Sequence, residues 1–272
     1  MERGLFFILI LFSQISFAQI YNSSIVSATA GSGRAAVDVG DPSFLNPATL
    51  VHLRGRTFLL SAAKDEFAVA TSENNPDTIF PAALSYVQRK FDGAGDPVMH
   101  DIRLTLAEKM GVKWGFGMTP HYYQLRYNEE VFNQTNADVG LIYTPNQNWG
   151  LGFVAYDVGG PKEEMPEALR LQKRTGLGAN YLYGKIMRFR LDTLSAPNNN
   201  FSLLTTSGGY EIYFNEWVIG RLGYQDDRFN DTRSASLGFG LDLPKFDVNY
   251  AFVSELPRNE NERHSIDLTL SF

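Results

Sequence analysis

The four histidines, His52, His100, His121 and His264, are the side chains best suited to acid–base or metal chemistry near neutral pH. They stand far apart, without the His-x-His or His-Glu-x-x-His spacing that puts two imidazoles on one metal. His100 is followed by Asp101, but strand neighbours point to opposite faces, so that pair cannot share a proton. His121, between Pro120 and Tyr122-Tyr123, reads as a residue of an interfacial aromatic belt. Glu163, Glu164 and Glu167 could offer oxygens to calcium, but the Asp-x-Asp-x-Asp pattern is missing and a solvated acidic loop is the plainer reading. The chain has no cysteine, which removes thiolate chemistry and disulfides. No catalytic residue, no metal and no cofactor is therefore assigned, and the chain reads as a non-enzyme.

Gly31-x-Gly33-x-x-Ala36 superficially matches a dinucleotide-binding fingerprint. Such a fingerprint needs a strand before it and a long helix after it, and here Val37-Asp38-Val39-Gly40-Asp41-Pro42 breaks any helix at once. A net charge of −6, with no basic stripe, argues against nucleic-acid partners.

The elements that would position these residues fall into three parts. Residues 1–18 read as a signal peptide: Arg3, an apolar run from Leu5 to Phe12, and small residues around Ser16-Phe17-Ala18, too short to span a bilayer. Residues 19–55 are small and glycine-rich, then carry a helix start with Asn46 as N-cap and Pro47 at the first helical position. Residues 56–272 are period-2 segments separated by turn residues. Fourteen strands are predicted, at 56–63, 66–72, 80–91, 100–108, 112–126, 132–144, 149–158, 171–182, 186–193, 201–213, 217–225, 233–242, 246–254 and 263–272. From Lys109 onward short connections alternate with longer ones, as in membrane barrels with short periplasmic turns and longer outer loops. Connections at 64–65 and 73–79 break that alternation, so a count of twelve stays open. The expected fold is an all-β transmembrane antiparallel barrel with a small N-terminal plug.

Side-chain alternation sets the faces. Ile102, Leu104 and Leu106 oppose Arg103 and Thr105; Met187, Phe189 and Leu191 oppose Arg188, Arg190 and Asp192. An arginine on lipid at mid-bilayer costs about 2–4 kcal/mol, and a one-residue slip would expose all of them. The charges therefore face the lumen: Arg103, Arg174, Arg188 and Arg190 on the middle strands, Asp242, Asp247 and Asp267 on the last three. Buried charges need partners, so cross-lumen pairing between these two groups is expected. Gly150, Gly152, Gly176, Gly178, Gly238 and Gly240 share the inner face and leave room for a closely approaching backbone.

Two stretches carry a family resemblance. The last strand, with Leu268, Leu270 and Phe272 on its apolar side, resembles the closing strand of bacterial outer-membrane barrels, whose terminal aromatic belongs to the signal read by the barrel-insertion machinery. Gly33-Arg34-Ala35-Ala36, followed by Asp41-Pro42-Ser43 and Asn46-Pro47-Ala48, resembles the N-terminal box of the FadL-like outer-membrane proteins, a group that includes hydrophobic-compound transporters and the PorV-type proteins of secretion systems. The resemblance implies an integral outer-membrane barrel of a Gram-negative cell, in contact with outer-membrane lipid, with periplasmic termini. It implies a channel or transporter for hydrophobic or small molecules, with Arg34, Asp41, Asn46 and Pro47 forming the plug or hatch box. Arg34 and Asp41 would tether the plug to wall charges, and Asn46-Pro47 would set its short helix. The alternative is a non-conducting PorV-type barrel that docks an exported partner protein.

Overall fold

A strand with one apolar and one polar face leaves its backbone groups unpaired at each edge, and closing a sheet on itself removes both edges. The computed structural model describes residues 20–38, 41–91, 95–166, 169–257 and 262–272. In it fourteen antiparallel strands close into a single barrel: β1 Gly55–Ala63, β2 Glu66–Asn74, β3 Ala82–Lys90, β4 Val98–Met110, β5 Trp114–Tyr127, β6 Glu130–Asn146, β7 Trp149–Tyr156, β8 Arg174–Tyr183, β9 Met187–Ala196, β10 Asn200–Tyr213, β11 Val218–Asp227, β12 Thr232–Asp242, β13 Phe246–Leu256 and β14 Glu262–Ser271. Residues 1–18, the expected signal peptide, lie outside the described residues.

The last strand closes on the first, from Thr57 opposite Ser271 to Ala63 opposite Ser265. Beyond the ladder, the Phe272 amide donates to the Arg56 carbonyl at 2.9 Å. At the other end of this seam Glu66 accepts from both Arg89 of β3, at 2.8 Å, and Arg263 of β14, at 3.0 Å.

The faces follow the charge argument. Ile102 and Leu104 are 48% and 45% exposed, while Arg103 between them is 8% exposed. Apolar side chains ring the outside on nearly every strand, Phe153, Leu177, Leu191, Leu237 and Ile266 among them. Rings at the end carrying Phe272 add a ladder from Trp149 to Tyr181 (4.4 Å between centroids), Tyr181 to Phe189 (6.5 Å) and Phe189 to Tyr210 (5.0 Å). An apolar band with an aromatic girdle is the outer surface of a membrane barrel. Among the described residues no helix is long and apolar enough to cross a membrane, so the crossing is made by strands.

The connections differ from expectation at the rim opposite Phe272. The predicted loop at 127–131 is a two-residue turn, Asn128-Glu129, with φ of +50° and +67°. Two central residues at positive φ match the twist of the flanking strands, so β5 and β6 run on as one long hairpin. The stretch at 197–199 is likewise a tight three-residue connection, with Asn198 and Asn199 at φ of +58° and +55°. The long connection at this rim is 157–173.

Residues 20–38 and 41–53 lie against the inner wall. Helix α1, Ser24–Ala28, is capped by Ser23, whose hydroxyl accepts from the Val26 amide. Two 3₁₀ turns follow, Asp41–Ser43 and Pro47–His52. Inward glycines admit this backbone: a Cβ on Gly150 would stand 2.6 Å from the Ala35 carbonyl oxygen, and one on Gly178 would stand 2.9 Å from the Ala35 amide. Gly152, Gly176 and Gly238 abut Arg34 and Ala28 in the same way, whereas Gly240 makes room for the Arg221 guanidinium.

Candidate functional site

The lumen is built of charged wall residues that grip the N-terminal segment largely through its main chain. Oδ2 of Asp192, on β9, accepts from the Gly33 amide at 2.8 Å, the Arg34 amide at 2.9 Å and the Arg34 guanidinium at 3.0 Å. Nε of Arg103, on β4, donates to the Ser43 carbonyl at 2.8 Å. The Tyr156 hydroxyl donates to the Leu45 carbonyl at 2.6 Å, and the Arg34 guanidinium lies 5.6 Å from the centre of that same ring. On the far side, Asp267 of β14 accepts from the Ser24 amide and hydroxyl at 2.6 and 2.8 Å. The Ser236 hydroxyl donates to the Ala28 carbonyl at 2.9 Å.

Two ionic clusters surround these contacts. In the first, Arg190 of β9 bonds both Asp38 of the segment and Glu211 of β10, with Nε to Oε1 of Glu211 at 2.7 Å. Arg188 reaches Asp38 at 3.2 Å, and Arg221 of β11 reaches Glu211 at 3.1 Å and the Asn249 amide oxygen at 2.8 Å. Burial pushes the Asp38 carboxyl up, but Arg190 and Arg188 outweigh it and hold it below the ordinary range. In the second, Arg103 pairs with Asp101 at 2.7 Å and with Asp138 of β6. His121 of β5 sits beside both carboxylates and Asp157, the residue that follows β7.

The box residues are thus placed as follows. Arg34 is buried against Asp192. Asn46 accepts from the Ala48 amide at 3.1 Å, and its amide donates to the Arg34 carbonyl at 2.8 Å, which ties the two halves of the box together. Pro47 opens the 3₁₀ turn and packs on Gly117 and Gly140. Asp41 forms no ion pair with the wall among the described residues: its carboxylate oxygens are buried, with the Ser23 side chain of the same segment nearby. Burial, with Asp38 and Asp267 nearby, raises its carboxyl well above the ordinary value. A folded-state value above the unfolded one favours folding fully below about pH 4, and that contribution is lost as the pH climbs through the raised value. Asp41→Asn is therefore expected to unfold at a higher temperature than the parent at pH 8, with the difference vanishing near pH 4. Thermal gel-mobility midpoints at the two pH values check this.

The expected pairing of Arg103, Arg174, Arg188 and Arg190 with Asp242, Asp247 and Asp267 is not what forms. Asp242 and Asp247 stand opposite each other at the rim carrying Phe272, at the end of the β12–β13 ladder, and form no ion pair among the described residues. Asp267 is turned to Ser24. Arg174 leaves its Nε without a hydrogen-bond partner among the described residues. The acidic partners are instead Asp38, Asp101, Asp138, Asp192 and Glu211, on the segment itself and on the middle strands. His121 is also corrected: it is 5% exposed and faces the lumen, not the membrane interface. Carrying the inward parity of Gly115, Gly117 and Thr119 through Pro120 would have placed it there. Glu163 and Glu164 are exposed, with Glu164 paired to Lys162 at 2.9 Å, and Glu167 lies outside the described residues. Leu268 and Leu270 point outward, and Phe272 is 79% exposed at the rim.

Beyond the charged clusters, toward the 157–173 connection, the inner face turns apolar. On β5 Tyr123 and Leu125 point in while Arg126 is exposed. With Leu59, Ala70, Val87 and Met99 of the wall, Tyr21 and Phe44 of the segment, and Met165, Leu169 and Leu171 of the connection, they form one buried cluster.

No protein-family model matches this chain, and no curated protein matches it in sequence. Solved structures do match. A Pseudomonas aeruginosa FadL homologue aligns with a TM-score of 0.68 at 11% identity, over 93% of this chain and 99% of that one. The P. putida toluene transporter TodX aligns with a TM-score of 0.67 at 12% identity, over 92% and 98%. The CymD monoaromatic hydrocarbon channel aligns with a TM-score of 0.64 at 13% identity, over 92% and 97%. At these identities the shared property is the fold, a FadL-like fourteen-stranded barrel. The PorV-type half of the resemblance gains no support from these matches.

Proposed function

We propose that the chain is an outer-membrane channel for small hydrophobic molecules, with periplasmic termini and residues 20–53 acting as a hatch. The observation that carries this reading is the buried apolar cluster at the end of the lumen beneath the 157–173 connection. A water-filled barrel lines its interior with polar groups; here Leu59, Met99, Tyr123 and Leu125 turn inward and meet Tyr21 and Phe44 of the segment. An apolar compartment with a few placed polar groups is what a hydrophobic ligand needs. The hatch assignment rests on polar contacts that can break and re-form with water, above all those on Asp192 and Asp267. The FadL-like fold of a toluene transporter and a monoaromatic hydrocarbon channel supports the same substrate class. Leu268, Leu270 and Phe272 would serve assembly, as the strand read by the insertion machinery. No catalysis is needed.

Uptake of radiolabelled toluene by Gram-negative host cells, whose lipopolysaccharide slows passive entry, tests this reading. Cells carrying the chain in the outer membrane are expected to take it up faster than control cells, and Leu125→Glu is expected to return uptake to the control rate. Equal uptake with and without the chain would reject the channel.

A further inference from the structure

We propose that His121, Asp138 and Asp157 form a binding site for a divalent transition-metal ion such as zinc. The three come from β5, from β6 and from the first residue after β7. One ligand atom of each lies within 4.8 Å of the other two. Nε2 of His121 is 3.3 Å from Oδ1 of Asp157 and 4.0 Å from Oδ1 of Asp138. Two ligands on a tetrahedral zinc with bonds of about 2.1 Å stand about 3.4 Å apart, so small side-chain shifts suffice.

A second observation is independent of that clustering. Among the described residues His121 Nε2 and Asp157 Oδ1 are buried atoms without a well-formed hydrogen bond, although they face each other at 3.3 Å. Their residues are only 5% and 6% exposed. Burying an unpaired polar atom is unfavourable, and one ion would satisfy both.

The surroundings are those of a metal site. Oδ1 of Asp101 lies 3.0 Å from Nδ1 of His121. A proton held there on Nδ1 leaves the Nε2 lone pair free to coordinate, the carboxylate–histidine arrangement that orients metal-bound imidazoles. Arg103 fixes the other oxygens of Asp101 and Asp138, and the Asp157 amide donates to Asp138 Oδ1 at 2.8 Å. Asp101, Asp138 and Asp157 against Arg103 leave two negative charges when His121 is neutral, which a divalent ion balances. Arg174, the other nearby cation, forms no ion pair with them among the described residues. One imidazole nitrogen with two carboxylates suits zinc or its neighbours better than calcium or magnesium, which take oxygen alone. Asp157 has φ of +50°, a conformation Asp and Asn tolerate better than most residues. The ion would pin the start of the 157–173 connection to β5 and β6.

The test uses untagged full-length protein, stripped with chelator in detergent, dialysed and titrated with zinc chloride alone. Wild type is expected to retain one zinc per chain, with an X-ray absorption edge showing only nitrogen and oxygen donors. His121→Gln and Asp157→Asn are each expected to lose it while keeping the heat-dependent gel shift of a folded barrel. Asn keeps the backbone preference at position 157, so that variant decides if His121→Gln fails to fold. No retained zinc in wild type, or equal zinc in a folded variant, would overturn the site and leave a protonated histidine among carboxylates.

Discussion

Replacing Arg190 by methionine is expected to lower the stability of the barrel by about 3–5 kcal/mol, the usual cost of removing one partner from a buried ion pair. Arg190 bonds both Asp38 of the N-terminal segment and Glu211 of β10 from a fully buried side chain, while Arg188 spans the same two carboxylates at 3.2 and 3.6 Å. Methionine fills much of the same volume, so the loss is chiefly electrostatic: two carboxylates remain, Asp38 with Arg188 at 3.2 Å and Glu211 with Arg221 at 3.1 Å. The double variant Arg190→Met/Glu211→Gln should recover part of the loss, because it removes one uncompensated charge. Urea unfolding in detergent, followed by tryptophan fluorescence, measures both. An Arg190→Met variant as stable as the parent would mean the cluster contributes nothing to the fold.

The second large effect concerns Asp192. One carboxylate oxygen receives three donors from Gly33 and Arg34; the comparable anchor among the described residues is Asn74 of β2, whose side-chain nitrogen donates to the carbonyls of Leu50, Val51 and Leu53. Asp192→Ala removes all three bonds and strands the buried Arg34 charge, which favours a segment that moves out to water. Planar-bilayer recordings should then show open steps where the parent is largely closed, with Asp192→Asn intermediate because its oxygen still accepts from the two amides. Identical traces for parent and Asp192→Ala would show that this contact does not keep the segment in place.

Much of the fold was legible because period-2 patterning carries one bit per residue, and in a membrane barrel that bit separates lipid from lumen. The charge cost placed Arg103, Arg188 and Arg190 inward, and the alternation from Arg263 to Phe272 resembled a closing strand, the one that pairs with β1. The charge partners were not legible. Alternation gives the face of a residue but not its position around the barrel, which depends on the stagger of every intervening pair. Arg103 and Asp138 are separated by the whole of β5, and Asp38 comes from the segment that no strand pattern constrains. Around His121 the bit itself failed, because Tyr122 points out and Tyr123 points in with the same ring. The loop at 127–131 misled for a related reason: polar residues there look like an exposed loop, and only the positive φ of Asn128 and Glu129 makes a tight hairpin of it. The apolar cluster had no sequence signal of its own, since Leu125 and Met99 carry the same pattern whether they face lipid or ligand.

The central claim is that residues 20–53 must move for a hydrophobic molecule to pass. The Ser24 and Ser265 hydroxyl oxygens are 3.0 Å apart, one on the segment and one on β14, and the chain has no cysteine of its own. Ser24→Cys/Ser265→Cys therefore offers one disulfide between hatch and wall, with a sulfur–sulfur bond of about 2.05 Å needing only a small approach. Toluene uptake by cells carrying this variant, measured oxidised and then after reductant, is the decisive reading. Uptake should fall to the control rate when the bond is closed and return to the parent rate when it is reduced; the same uptake in both states, with the crosslink verified, would contradict the hatch.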